Sequence, residues 1–330
     1  MLKYYFVTDT SLSLPNPGDI LICKGIEYLI DQYEYRRGND FIRGYISLFN
    51  KQAQVFERAL DDADCIVMCG APQFNKYGPS KVFDNVFEFY IEAKSRNIKL
   101  VNLYCGFENS FHPDLEDRYK RYSDKLDTIK DIYSVFDLII CRDPTGVAML
   151  NKVDIESTML LGSSIYSPLY YGIYSSPKIY NAISIVPTGW DLSIEEQKEF
   201  WMDVAGEHFG NEPVYYLSHT TQDYTRTVGM LPSAIAINDP RSLLEFYSRA
   251  KKVLSLRTHG SAPALALGAR VMNLAIDGRH DILKYAGIDS VYFPQFLKDT
   301  TPMYRSVNLV KKRQVDQLVL FNLLDQMWGN

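Results

Sequence analysis

Short apolar runs alternate along this chain with longer stretches in which apolar positions recur every three or four residues. Runs of the first kind lie at 4–8, 65–69, 99–104 and 136–141 in the first half, and at 182–186, 214–218, 234–237, 252–256 and 271–275 in the second. They are apolar on successive positions, as expected of strands buried on both faces. The intervening stretches read as helices at 20–30, 82–96, about 114–134, 194–208, 241–249, 261–267 and 315–328, with Val82, Val86, Phe89 and Ala93 forming one stripe of the second. Strand and helix in alternation predict α/β architecture, parallel sheets covered by helices. Across 163–178 the periodicity gives way to Gly, Ser, Pro and Tyr, including Ser167-Pro168 and Ser176-Pro177. That stretch is predicted to be an element-free joint, the first to be nicked by protease, between an N-terminal domain at 1–165 and a C-terminal domain at 178–330. The final helix can return to pack on the first domain.

Composition narrows the function without naming it. A chain of 330 residues exceeds the size at which one core keeps growing, so two domains are expected. Hydrophobic residues at 46% and charged residues at 23% exclude a disordered or collagen-like chain. A net charge of −5 offers no broad attraction to nucleic acid or anionic lipid, so an anionic substrate needs its counter-charges gathered in one pocket. No apolar run is long enough to span a membrane, and residues 1–9 read as a first strand without signal-peptide flanks, which predicts a cytoplasmic protein. The five cysteines, Cys23, Cys65, Cys69, Cys105 and Cys141, form no CxxC pair and read as reduced core thiols.

In open α/β sheets, ligands sit beyond the carboxyl ends of the strands, so polar residues directly after apolar runs carry the chemistry. Most prominent is Leu254-Ser255-Leu256-Arg257-Thr258-His259-Gly260-Ser261-Ala262, where a strand yields to a small-residue helix. Arg257 offers a planar fork for carboxylate or phosphate, the helix start offers free N–H groups, and Gly260 permits close backbone approach. The other reading pairs Arg257 with a structural carboxylate and leaves His259 to cap the helix. Asn16-Pro17-Gly18-Asp19 follows the first strand as a capped turn, and Cys141-Arg142-Asp143-Pro144 follows the fourth, with Arg142 at the strand tip or solvated beside a capping Asp143. His219 and Asp223 share a face if their stretch is helical, and Arg279-His280-Asp281 follows the 271–275 strand. His112 is ambiguous, and His208 reads as structural or solvated. GxGxxG, P-loop, GxSxG and HExxH motifs are absent, as is the Asp-x-Asp signature of metal-dependent glycosyltransferases.

Taken together, Asn16-Pro17-Gly18-Asp19, Cys141-Arg142-Asp143, His219 with Asp223, Leu256-Arg257-Thr258-His259-Gly260, Asp277-Gly278-Arg279-His280 and Lys284-Tyr285-Ala286-Gly287-Ile288 resemble the polysaccharide pyruvyl transferase family in order and spacing. The chain departs from the usual glycine-rich turn at Cys69-Gly70-Ala71-Pro72-Gln73, which keeps one glycine. The resemblance implies two Rossmann-like domains facing a cleft, a GT-B-like arrangement, with the acceptor on the N-terminal side and phosphoenolpyruvate on the C-terminal side. It implies that Arg142, Arg257 and His259 bind or activate the donor; Thr258 and Gly260 join the donor-binding set, and His259 is the best candidate for the acid that the chemistry requires. Asp19 is the base candidate, and Asn16, Gly18, His219, Asp223, Arg279 and His280 are further cleft residues. Phosphoenolpyruvate is then a co-substrate, with no cofactor or metal expected. The acceptor is a glycan or lipid-linked saccharide, which can bring the protein to a membrane surface. A GT-B glycosyltransferase using a nucleotide sugar, or a non-catalytic glycan-binding protein, fits the same architecture.

Overall fold

The computed structural model describes residues 1–8, 16–47, 53–70, 72–75, 78–79, 81–107, 120, 122–186, 193–226, 228–276 and 278–329. The chain runs through β1 (Leu2–Thr8), α1 (Pro17–Arg36), β2 (Phe41–Ser47), α2 (Ala53–Asp62), β3 (Cys65–Cys69), β4 (Pro72–Asn75), β5 (Gly78–Pro79) and α3 (Lys81–Ser95). It continues through β6 (Lys99–Phe107), α4 (Leu126–Tyr133), β7 (Leu138–Cys141), α5 (Pro144–Asn151) and β8 (Thr158–Met159). A 3₁₀ turn, Ser163–Ile165, and α6 (Ser167–Tyr171) lead into the second half. There follow β9 (Tyr180–Ser184), α7 (Ile194–Phe209), β10 (Val214–Ser218), α8 (Thr221–Arg226), β11 (Ala234–Ala236), α9 (Pro240–Ser248) and β12 (Ala250–Ser255). The chain closes with α10 (Thr258–Ala266), β13 (Arg270–Ala275), the 3₁₀ segment Gly278–Ala286, β14 (Ser290–Tyr292), α11 (Phe293–Phe296) and α12 (Val310–Trp328).

Among the described residues these strands make two sheets. The first is parallel in the order β2-β1-β3-β6-β7-β8, with the β4–β5 hairpin added beside the end of β6. The second is parallel in the order β11-β10-β9-β12-β13-β14. Each order reverses at one place, between β1 and β3 in the first sheet and between β9 and β12 in the second. Those reversals open crevices at the strand ends. The helix that leaves β1 and the helix that leaves β12 are therefore the ones placed to build a site.

The strands are legible because both faces are buried. In β1, Tyr4 and Phe6 enter one core while Tyr5 and Val7 enter another. The first of these cores is shared by both sheets, joining Phe6, Ile22 and Leu161 to Val253, Leu265 and Val271 through α1, α10 and α12. Helix starts are set locally. Gly18 N–H donates to Asn16 Oδ1 at 3.1 Å with Pro17 at the first helical position, Gly146 N–H donates to Asp143 Oδ1 at 2.8 Å, and Ser193 with Glu196 closes a capping box. All five cysteines are buried and free.

Three expectations need correction. The 163–178 joint is not element-free: it carries a 3₁₀ turn and α6, and Ser163, Ser164 and Ser167 are sealed from solvent in the shared core. Exposure is confined to residues near its end such as Tyr174, 70% exposed, so protease access to the first part is closed. The helix expected at about 114–134 is Leu126–Tyr133, preceded by a turn at 122–124, while 108–119 lie outside the described residues, as does His112. Strand β2 and helix α2 have no counterpart among the expected elements. Edge strand β2 exposes Ile42 and Tyr45 and mixes polar with apolar positions, which erases the run of a doubly buried strand.

The terminal helix does return to the first sheet. Tyr33 Oη donates to Asp325 at 2.9 Å, Arg37 pairs with Asp325 at 3.1 Å, and Leu161 N–H donates to buried Asp316 at 2.7 Å. The same helix reaches the second half through Arg313, which donates to Ala266 O at 3.2 Å. No helix among the described residues is long and apolar enough to cross a membrane.

Candidate functional site

The N-terminus of α1 and the N-terminus of α10 meet. A methyl group placed on Gly18 would lie 2.9 Å from Cβ and Cδ2 of His259, so the Asn16–Asp19 turn and the Arg257–Gly260 turn touch across the two sheets. Asn16 is spent on capping α1, and Asp19 is partly buried in the first turn, where a carboxylate is favoured by the helix start. Thr258, 8% exposed, opens α10, and His259 lies between the two helix starts, partly buried.

Arg257 is the residue before α10 and does not cap it with its side chain. Its extended backbone is fixed by Ser255: Arg257 N–H donates to Ser255 Oγ at 3.0 Å, and Ser255 Oγ–H donates to Arg257 O at 2.8 Å. The guanidinium pairs with Asp223, itself 9% exposed. The carboxylate reading of Arg257 therefore holds, and the carboxylate belongs to another of the residues singled out by sequence.

His219 and Asp223 do not share a helical face. Helix α8 begins at Thr221, after His219, so the two side chains part: Asp223 goes to Arg257, and His219 turns into the protein and is 0% exposed. There its Nε2 lies 2.9 Å from Tyr247 Oη and 3.4 Å from Ser184 Oγ. Burial, then the neighbouring Arg257 and His259 charges, push the His219 imidazole well below its ordinary range, so it is neutral. Gly260 rests on this group, since a methyl there would lie 2.7 Å from Ser255 Oγ, 2.8 Å from Tyr247 Oη and 3.3 Å from His219 Cε1.

Arg142 sits at the tip of β7 and is 3% exposed, so it is not a solvated arginine. Beside it Asp143 is fully buried, and burial pushes its carboxyl up to about 6 against the opposing effects of the Gly146 N–H and the Arg142 guanidinium. Buried Asp281, from the second sheet's 3₁₀ segment, adds a like charge to Asp143. The side chains of Arg279 and His280, like Asp277, lie outside the described residues. His208 is structural: it is 4% exposed, with Nδ1 2.9 Å from Tyr304 Oη and Nε2 against Thr300 O.

Sequence reasoning missed Ser184 and Tyr247, and it gave Ser255 no role although Ser255 lies within the most prominent cluster. The two serines end β9 and β12, so the rule that polar residues after apolar runs matter could have found them. Tyr247 carries no local signal, because it is one apolar position of an amphipathic helix until His219 reaches it.

The fold is similar to that of several solved structures. It superposes on UDP-GlcNAc 2-epimerase from Neisseria meningitidis bound to UDP-GlcNAc with a TM-score of 0.58 and 10% identity, over 98% of this chain and 99% of that one. The Methanocaldococcus jannaschii UDP-GlcNAc 2-epimerase in complex with UDP-GlcNAc and UDP gives 0.53 at 8% identity, over 97% and 99%. MnaA of S. aureus with UDP gives 0.54 at 9%, over 91% and 88%. At these identities the likeness is one of fold, the GT-B-like pairing of two Rossmann-like domains. No curated protein sequence matches the chain. A family model, polysaccharide pyruvyl transferase, matches residues 16–278, from the cap of α1 to the segment after β13. With most of its length inside that match, including Asp19, Arg142, Arg257 and His259, the chain belongs to the polysaccharide pyruvyl transferase family of transferases.

Proposed function

We propose that the protein forms a pyruvate ketal on a glycan sugar, using phosphoenolpyruvate as donor. The observation that carries the reading, beside family membership, is the contact of Gly18 with His259, which joins the crevices of the two sheets at one point. Phosphoenolpyruvate presents a carboxylate and a phosphate. Arg257, whose orientation Asp223 holds, and the first N–H groups of α10 from Thr258 onward meet those charges. Gly260 lets that backbone lie close.

The chemistry needs one acid and one base. His259 protonates the methylene carbon, which becomes a methyl group, and the central carbon turns electrophilic. One sugar hydroxyl adds to it, losing its proton to Asp19 in the α1 turn. A second hydroxyl then displaces phosphate and closes the ketal, its proton leaving with the phosphate. Arg142, nearly closed off at 3% exposure, is the weaker member of the donor set, and Arg142→Ala is expected to lower stability as well as donor affinity.

The test is phosphate release from phosphoenolpyruvate in the presence of a panel of free and lipid-linked saccharides, with melting temperature as a companion readout. Phosphoenolpyruvate should raise the melting temperature and UDP- or GDP-sugars at equal concentration should not. Stabilisation by a nucleotide sugar alone, with no phosphate released, would replace this reading with a glycosyltransferase.

A further inference from the structure

Below the first turn of α10 lies a buried polar group that the scheme above does not use. His219 follows β10, Ser184 ends β9, Tyr247 comes from α9 and Ser255 ends β12, so four separate elements converge beneath Gly260. His219, Ser184, Tyr247 and Ser255 are all 0% exposed. The His219 and Tyr247 rings stand edge to face, with centroids 6.2 Å apart at 71°. The hydroxyls of Tyr247 and Ser184 are both placed at His219 Nε2.

His219 Nδ1 has no hydrogen-bond partner among the described residues. A buried N–H left without an acceptor is costlier and rarer than a buried lone pair left without a donor. The ring proton therefore belongs on Nε2, which has two oxygens within reach, and Nδ1 keeps only its lone pair. A second proton would bury an unpaired N–H⁺ beside Arg257 and His259, the charged neighbours on this side, with Asp223 already committed to Arg257. One protonation state and one tautomer thus suit the site, and they fix the ring against Tyr247.

We propose that His219, held by Tyr247 and Ser184, is a positioning residue that seats the first turn of α10 through Gly260 and so aims His259 across the cleft at the Asn16–Asp19 turn. The seat works because Gly260 has no side chain: the helix backbone descends onto Tyr247 Oη, Ser255 Oγ and the His219 ring until they stop it. The other end of His259's position is set by Gly18. His259 is thereby clamped between two glycine contacts, one in each half of the molecule. The consequence for turnover rests on the pyruvyl-transfer reading, whereas the tautomer does not.

The chain has five histidines, so imidazole nitrogen correlations of the ¹⁵N-labelled full-length protein can be resolved and assigned with single substitutions. Wild-type His219 should show the Nε2–H tautomer and no titration between about pH 5 and 8, where an ordinary imidazole changes charge. Tyr247→Phe removes the hydroxyl and keeps the ring, and should move the His219 nitrogen shifts. It should also lower kcat for phosphoenolpyruvate-dependent phosphate release about tenfold while KM changes less than about threefold, since the acid is displaced more than the donor site. A proton on Nδ1 or an ordinary titration of His219 overturns the proposal, and that spectrum needs no variant. So does a Tyr247→Phe protein that melts lower yet turns over at the wild-type rate per folded molecule, which is the result expected of a merely structural tyrosine. If wild type releases no phosphate at all, the proposed function fails and the imidazole spectrum alone decides the seat.

Discussion

Gly18→Ala tests whether the contact between the two helix starts matters. In the first turn of a helix, alanine in place of glycine ordinarily stabilises by up to about 1 kcal/mol, because the unfolded chain loses freedom. Here the new methyl would lie 2.9 Å from His259 Cβ and Cδ2 and 3.1 Å from Cγ. Apolar carbons rest about 3.5–4.0 Å apart, so the shortfall is roughly 0.6–1 Å. The neighbour is the stem and ring of His259, rigidly joined to α10, so the helix start itself must yield. Overpacking of this kind costs about 1–3 kcal/mol, and the helical gain offsets part of it, leaving a net loss of about 0–2 kcal/mol. The catalytic cost is larger in proportion, since misplacing a reacting group by about 1 Å can lower turnover roughly 10²-fold. Gly18→Ala is therefore expected to melt within a few degrees of wild type while kcat for phosphoenolpyruvate-dependent phosphate release falls sharply. Gly206→Ala on the exposed face of α7, where a methyl meets nothing within 4 Å, is the control and should gain stability with turnover unchanged. Wild-type kcat in folded Gly18→Ala would refute the argument that this contact places His259.

Three further outcomes are expected. Asp143 has a folded-state carboxyl near 6, above its unfolded value, so its contribution is fullest at low pH and is lost as pH rises toward 6; chemical denaturation across that range should show Asp143→Asn gaining on wild type by an amount on the order of 3 kcal/mol. Burial lowers His208 below the ordinary imidazole value, so the unfolded chain takes the proton first and stability falls as pH drops below about 6.5; His208→Gln should melt with a weaker acid dependence than wild type, and equal dependence would remove His208 as a contributor. Lys178 Nζ donates to Ser248 O at 2.8 Å and to Leu267 O at 2.7 Å, capping the ends of α9 and α10 together, so Lys178→Met should cost about 1–3 kcal/mol in denaturant unfolding and act on α10 without touching the cleft.

What the sequence determined by itself is what short-range physics controls. Strands such as Cys65–Cys69 and Val214–Ser218 were legible because burial on both faces demands unbroken apolar runs, and α1 and α5 were legible because Asn16 and Asp143 satisfy their own helix starts within three residues. The order of crevice residues followed from the same rule, since a strand followed directly by Arg142, or two residues on by Arg257, hands its polar residue to the edge of the sheet.

Only the tertiary structure decided which of those residues touch and which are buried. Arg257 pairs with Asp223, and Gly18 meets His259, across stretches of chain that no local pattern connects. His219 was read beside Asp223 because the two are four residues apart, yet α8 starts between them and sends one to the cleft and the other beneath it. The 163–178 stretch has the composition of a loop, yet its first part, residues 163–168, is buried because α1 and α10 close over it, which turn chemistry cannot foresee. Local spacing fixes hydrogen bonds within a turn of helix or along a strand. Contacts between the sheets depend on how two finished surfaces fit, and that information lies in the summed packing of the shared core rather than in any one segment.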